Sequence, residues 1–210
     1  MGKIKICGIT NATDAQLASK LGADALGFNF YAESPRCLLR ERARAIVASL
    51  PPFVTPVAIF VNEAPEVIKE TCDFCGIKTV QLHGDEPPGM IGQLPAYKII
   101  KAFQVHSERD VAQLRRYNAD AFLLDAYAPG KRGGTGVSFN WELAQSVAST
   151  VLVVLAGGLT PENVAEAISI VKPFGVDVCS GVEAEPGKKD RRLLRGFIQE
   201  ARRAFAEGLL

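Results

Sequence analysis

Eight short apolar runs recur along the chain, and a stretch of helical periodicity follows each of them. The runs are KIKICGI at 3–9, ALGFNF at 25–30, PVAIFV at 56–61, TVQLH at 79–83, YKIIKAF at 97–103, AFLLD at 121–125, VLVVL at 151–155 and GVDVC at 175–179. Most are continuous rather than alternating, as expected of strands covered on both faces. Helices are predicted at 15–21 and about 65–75, each stopped by a glycine, and at about 39–50, ahead of Pro51-Pro52. A short helix is predicted after Gly84-Asp85-Glu86, and others at about 107–117, at 141–148, from Pro161 onward and at about 190–205. Regular strand–helix alternation implies parallel strands joined by crossover helices. Eight such units predict a closed (β/α)₈ TIM barrel, with short loops because typical barrels have about 250 residues. An open doubly wound sheet is the alternative, but the count of eight and the lack of an early GxGxxG fingerprint speak against it. With no linker and no low-complexity segment, residues 1–210 read as one barrel domain.

Composition narrows the function. The 210 residues are 48% hydrophobic, enough for a sizeable core, and the net charge of +1 gives no footing for nucleic acid. No apolar run approaches the roughly 20 residues that span a bilayer. The opening MGKIKICGIT has no signal-peptide core. An odd count of five cysteines argues for reduced thiols, so a cytoplasmic protein is expected. Two histidines are few for a metal enzyme. Monomer and homodimer both stay open, because an exposed apolar patch would decide between them.

In a barrel of this kind the active site forms at the carboxyl ends of the strands. That rule gathers Cys7, Asn29, His83, Lys101, Asp125 and Asp177, and the adjoining loops add Arg36, Gly157, Gly158, Ser180 and Gly181. Asp125 ends an apolar run and is followed by a loop rich in glycine and positive charge, which suits general acid–base work. Glycine pairs after strands seven and eight match the usual phosphate site of such barrels, where backbone N–H groups meet the anion. Cys7 is open to two readings, a buried packing residue or a thiol acting as base or nucleophile. The CxxC at 72–75 lies in a predicted outer helix without a second cysteine pair, so it reads as structural, and Cys37 and Cys179 read as packing residues. His106, the arginines at 109, 115 and 116, and the run Lys188-Lys189-Asp190-Arg191-Arg192 read as solvated.

Six motifs then share an order: KIKICGIT, SPR at 34–36, QLHGDE at 81–86, LLDAYAPGKRGGTG at 123–136, LAGGLTPENV at 155–164 and GVDVCSGVE at 175–183. In that order, over nearly the full length, they closely resemble the phosphoribosylanthranilate isomerases of tryptophan biosynthesis. The resemblance implies a (β/α)₈ barrel that converts a small phosphorylated substrate by an Amadori rearrangement, without cofactor or metal. It implies Cys7 as general base, Asp125 as general acid and Arg36 as the holder of the anthranilate carboxylate. His83 and Asp177 match further pocket positions, and Gly157, Gly158, Ser180 and Gly181 would hold the phosphate. Gly134 belongs to the loop after strand six, which would close over the ligand. The related sugar-phosphate isomerase of histidine biosynthesis typically uses two aspartates in matching halves, which are not visible here. A non-catalytic phosphate-binding barrel would not need both Cys7 and Asp125. A thiol hydrolase would need His83 as base beside Cys7.

Overall fold

The computed structural model describes residues 2–104, 107–125 and 141–208. Its elements follow in order as β1 (Lys3–Ile6), α1 (Ala12–Leu21), β2 (Ala25–Asn29), α2 (Arg40–Val47), β3 (Thr55–Phe60), α3 (Pro65–Cys75), β4 (Thr79–Leu82) and β5 (Lys98–Gln104). Then come α4 (Glu108–Leu114), β6 (Ala121–Asp125), α5 (Trp141–Ala148), β7 (Val153–Ala156), α6 (Val164–Val171), β8 (Gly175–Val178), β9 (Glu183–Glu185), β10 (Lys188–Lys189) and α7 (Arg191–Glu207). Strands β1 to β8 close in sequence order into a parallel barrel, β1 pairing with both β2 and β8.

Local chemistry sets the boundaries. Asn11 caps α1 by accepting from the Asp14 N–H at 2.9 Å, and Gly22 ends it in the left-handed region at φ 103°. Gly76 ends α3 the same way. Two expectations needed adjustment. The segment after β4 forms only a 3₁₀ turn, Pro88–Gln93, because its paired prolines and two glycines cannot sustain an α-helix. The residues after β8 form a small antiparallel hairpin, β9–β10, that no apolar run announces.

The core has two layers of opposite parity. Residues such as Ile4, Ile6, Phe28, Phe60, Leu124 and Leu155 point outward into the layer between strands and helices. Leu123, Val154, Ala156 and Ala102 form a separate cluster inside the barrel. A strand alternates its faces, so each strand sends every second residue into the interior. Among the described residues no helix is long and apolar enough to cross a membrane.

Candidate active site

A cavity of about 490 Å³ opens at the carboxyl ends of the strands. Cys7, Arg36, His83, Asp125 and Asp177 line it, together with Gly157, Gly158, Ser180 and Gly181. Of the twelve candidates named from the sequence, ten meet here, Asn29 among them; Lys101 does not line this cavity, and Gly134 lies outside the described residues.

The floor is ionic. Lys5 and Asp177 are register partners on β1 and β8, and both point inward. The Lys5 Nζ donates to Asp177 Oδ1 at 2.9 Å with both side chains buried. Burial pushes the Lys5 ammonium down, but the Asp177 charge and hydrogen bond, together with the charges of Cys7 and Cys179, outweigh it and leave the group above the usual lysine range. One layer up, Ile6 pairs with Val178, and the Cys7 N–H donates to the Val178 carbonyl at 2.9 Å. Two residues on from Lys5 and Asp177, Cys7 and Cys179 share their inward parity. The neighbouring Cys179 side chain, helped by the Lys5 charge, holds the Cys7 thiol down at about 7 against the opposing effect of burial, while the Cys179 S–H itself donates to Glu183 Oε1 at 3.8 Å.

On β4 the same parity brings Gln81 and His83 to the cavity. The Gln81 side-chain nitrogen lies 2.7 Å from His83 Nδ1. Gln81 is 1% exposed, yet its Oε1 has no hydrogen-bond partner among the described residues. Desolvation holds the His83 imidazole below the ordinary histidine range, partly offset by Asp125, so the neutral ring prevails at pH 7.

Arg36 is fixed from one side. Its Nε and Nη2 donate to Glu183 at 2.8 and 2.5 Å, and the same carboxylate accepts from Lys189 Nζ at 2.9 Å. This ion cluster anchors the short hairpin against the rim. The phosphate-type loops are equally built. Gly157 and Gly158 adopt φ of 83° and 63°, which favour glycine. Asn163 braces their loop, accepting from the Thr160 N–H at 2.8 Å and donating to the Gly158 carbonyl at 3.0 Å. A Cβ on Gly181 would overlap the Leu159 carbonyl, so the loops after β7 and β8 are in backbone contact.

Other expectations are sorted by the same geometry. Lys101 serves structure: its Nζ donates to Glu86 at 2.9 Å and to the carbonyls of Gly84 and Ala102, and Glu86 in turn accepts from the Gly84 and Asn62 N–H groups. Cys72 and Cys75 pack on α3, and burial pushes the Cys72 thiol up to about 12, which makes it inert. Three readings are corrected. Cys37 is exposed rather than packed. Cys179 does more than pack, since its S–H donates to Glu183 Oε1 at 3.8 Å and its side chain tunes the Cys7 thiol. Lys189 is buried against Glu183 rather than solvated, and its neighbour Asp190 caps α7. His106 lies outside the described residues, and Arg115 and Arg116 are exposed as expected. The residues missed in the sequence are Lys5, Gln81, Cys179 and Glu183. Three of them sit two positions from a residue that was singled out, Lys5 from Cys7, Gln81 from His83 and Cys179 from Asp177, so strand parity was an available signal. Nothing local marks Glu183. Among the described residues no group of three or more His, Cys, Asp or Glu is arranged to hold a metal ion.

Comparison with known proteins agrees with this geometry. The family model for N-(5′-phosphoribosyl)anthranilate isomerase matches residues 4–200. The N-(5′-phosphoribosyl)anthranilate isomerase of Pelobacter propionicus is 49% identical over 207 residues, covering 99% of both chains. A solved phosphoribosylanthranilate isomerase in complex with reduced 1-(o-carboxyphenylamino)-1-deoxyribulose 5-phosphate is 42% identical with a TM-score of 0.86, covering 96% of this chain and 99% of that one. Monomers generated from the dimeric Thermotoga maritima enzyme superpose at a TM-score of 0.85 with 40% identity, covering 96% and 99% of the two chains. The chain belongs to the N-(5′-phosphoribosyl)anthranilate isomerase family.

Proposed function

We propose that this barrel converts N-(5-phospho-β-D-ribosyl)anthranilate to 1-(2-carboxyphenylamino)-1-deoxy-D-ribulose 5-phosphate, with Asp125 as general acid and Cys7 as general base. One observation carries the reading: Cys7 and Asp125 line the same cavity as two interlocked glycine loops and a braced arginine. Asp125 donates its proton to the furanose ring oxygen as the C1–O bond breaks, and the amine lone pair forms the protonated Schiff base. The Cys7 thiolate then removes the C2 proton. The C–H electron pair forms the C1–C2 double bond and neutralises the nitrogen, giving an enolamine. Ketonisation moves the enol hydroxyl proton off C2 oxygen and delivers one to C1, so no proton is gained or lost overall. Each positioned group of this kind contributes about 10²–10⁴-fold.

The remaining roles follow from charge and position. The phosphate sits at Gly157, Gly158, Ser180 and Gly181, where backbone N–H groups favour an anion. Arg36, turned by Glu183, offers its outer edge to the anthranilate carboxylate. His83, neutral and aligned by Gln81, and Asp177, neutralised by Lys5, complete the pocket.

The opposite face of the barrel supports a homodimer. Phe53, Leu152 and Phe174 precede β3, β7 and β8 and are 94%, 49% and 43% exposed. Phe53 and Phe174 border a cavity of about 250 Å³ at that end. Exposed aromatics beside an apolar recess suit a self-complementary interface. Free cysteines throughout fit a reducing, cytoplasmic setting.

The test is turnover of phosphoribosylanthranilate followed by loss of anthranilate fluorescence. Wild type should turn over, and Cys7→Ser and Asp125→Asn should lose kcat while still binding substrate. No turnover by the wild type overturns the reading; an active Cys7→Ser variant overturns the base assignment alone.

A further inference from the structure

Cys7 is not isolated at the rim. Its N–H bonds to the Val178 carbonyl, which places Cys179 beside it at the next position of the β1–β8 register. Neighbouring strands lie about 4.8 Å apart. That falls inside the roughly 4.4–6.8 Å Cα separation that a disulfide accepts. The two side chains share inward parity and border one cavity. Both sulfurs pack against backbone at this rim: a Cβ on Gly8 would lie 2.9 Å from Cys179 Sγ, and one on Gly27 would lie 3.2 Å from Cys7 Sγ. Lys189 Nζ sits 4.0 Å from Cys179 Sγ, and the neighbouring Cys7 and burial together hold the Cys179 thiol above its ordinary range, so Cys7 is the thiol that ionises first.

We propose that Cys7 and Cys179 are an oxidisable pair, joined by peroxide into an intramolecular disulfide that reversibly caps the base. The Cys7 thiolate attacks one oxygen of hydrogen peroxide, the O–O bond breaks and hydroxide leaves, giving a sulfenic acid on Cys7. Cys179 sulfur then attacks the Cys7 sulfur, the S–O bond breaks, and the Cys179 proton leaves with the hydroxyl as water. Two electrons pass from the two thiols to one peroxide. Cys7 has the character such chemistry needs, since it faces a cavity that a small oxidant enters and it ionises near neutrality. Without a resolving thiol, a sulfenic acid in that position goes on to the irreversible sulfinic state. With one on the adjoining strand position, it is trapped in a reducible form.

The consequence for activity rests on the proposed role of Cys7; the bond itself does not. The experiment treats the whole protein with graded hydrogen peroxide, alkylates the remaining thiols and maps peptides by mass spectrometry, with activity followed in parallel. The expected result is a Cys7–Cys179 linked peptide whose yield tracks the loss of turnover, with recovery on dithiothreitol. Cys179→Ser, and Cys179→Ala if the serine variant folds poorly, should give no such peptide. These variants should accumulate sulfinic Cys7 and recover about tenfold less of their own starting activity. Sulfinic Cys7 without the linked peptide in the wild type overturns the proposal. So does a map in which Cys7 pairs only with the exposed Cys37, or a Cys179→Ser variant that recovers as fully as the wild type. A linked peptide in a protein that never turned over phosphoribosylanthranilate sinks the functional reading and leaves the pair standing.

Discussion

Lys5→Met is the substitution that tests the barrel floor and the base together. Methionine keeps an unbranched chain in the interior but removes the cation 2.9 Å from Asp177. Breaking a buried pair from one side typically costs about 3–5 kcal/mol, because the remaining charge is left without compensation. For a domain of this size each kcal/mol moves the melting temperature about 2–4 °C, so the expected loss is about 6–20 °C. The pH dependence has a definite sign. In the wild type Lys5 titrates above its ordinary 10.5, so its stabilisation is fully present below that pH and is lost only as pH rises through the folded value. In the variant the burden moves to Asp177, whose stranded carboxylate prefers its proton. Its folded pKa then exceeds the unfolded one, so the deficit is largest at neutral pH and shrinks as pH falls through that folded value. Melting curves at pH 8 and pH 5 should therefore converge towards the wild type at the acid end. Lys5 is also one of the charges that hold the Cys7 thiol down, so the acid limb of kcat/KM should move to higher pH. Lys5→Met with Asp177→Leu should be more stable than Lys5→Met alone, since no buried charge remains. A melting loss that is small at pH 8 or equal at both pH values would refute the ionic account of the floor. An unmoved acid limb would refute its link to the base.

Three further outcomes follow from the same geometry. In the wild type kcat/KM should rise through an apparent pKa near 7 as Cys7 loses its proton; a flat profile between pH 5.5 and 8 would count against a thiolate base. Gln81→Leu removes both the His83 contact and the unpartnered buried oxygen, and a loss of about 1–2 kcal/mol, roughly 5–30-fold in kcat/KM, is expected with little change in melting temperature. Phe53→Glu should shift sedimentation from dimer to monomer while leaving the barrel folded, and an unchanged dimer would place the interface elsewhere.

The barrel was legible because its strands are covered on both faces. AFLLD and VLVVL have no polar face to lose, so the continuous apolar run marked them directly, and their ends were found to within about two residues. The loops carried weaker signals. The hairpin β9–β10 has no apolar period at all, since it is held by Glu183, which accepts from Arg36, Lys189 and the Gly187 N–H. Its order comes from charges far apart in sequence, and a run such as KKDRR looks like solvated surface until its partners are in place. Lys189 is buried for that reason, although its neighbour Lys188 is exposed as the composition suggests.

The site was legible at its rim and not beneath it. Residues at strand ends are marked by the turn that follows them, which is how Cys7, His83, Asp125 and Asp177 came to notice. The groups that set their chemistry lie one inward step away along or across the strands. Lys5 lies two residues before Cys7, and Gln81 two before His83; each looks like a blemish in an apolar run when read alone. Such polar residues cannot stay in a dry interior unless paired. Lys5 has found Asp177, whereas Gln81 is paired on one atom only. A lysine inside a barrel strand, at even spacing below a reactive residue, therefore predicts a partner from another strand, as Lys5 finds Asp177, whereas a glutamine such as Gln81 can reach the reactive residue on its own strand. The buried polar group itself then tunes the reactive one above it. At Cys7 the tuning charge is Lys5 and the tuning thiol is Cys179, both supplied through the β1–β8 seam that closes the barrel. Closure of the sheet and activation of the base are thus one structural event, which is why a substitution on the barrel floor is expected to be read out in a pH profile at its mouth.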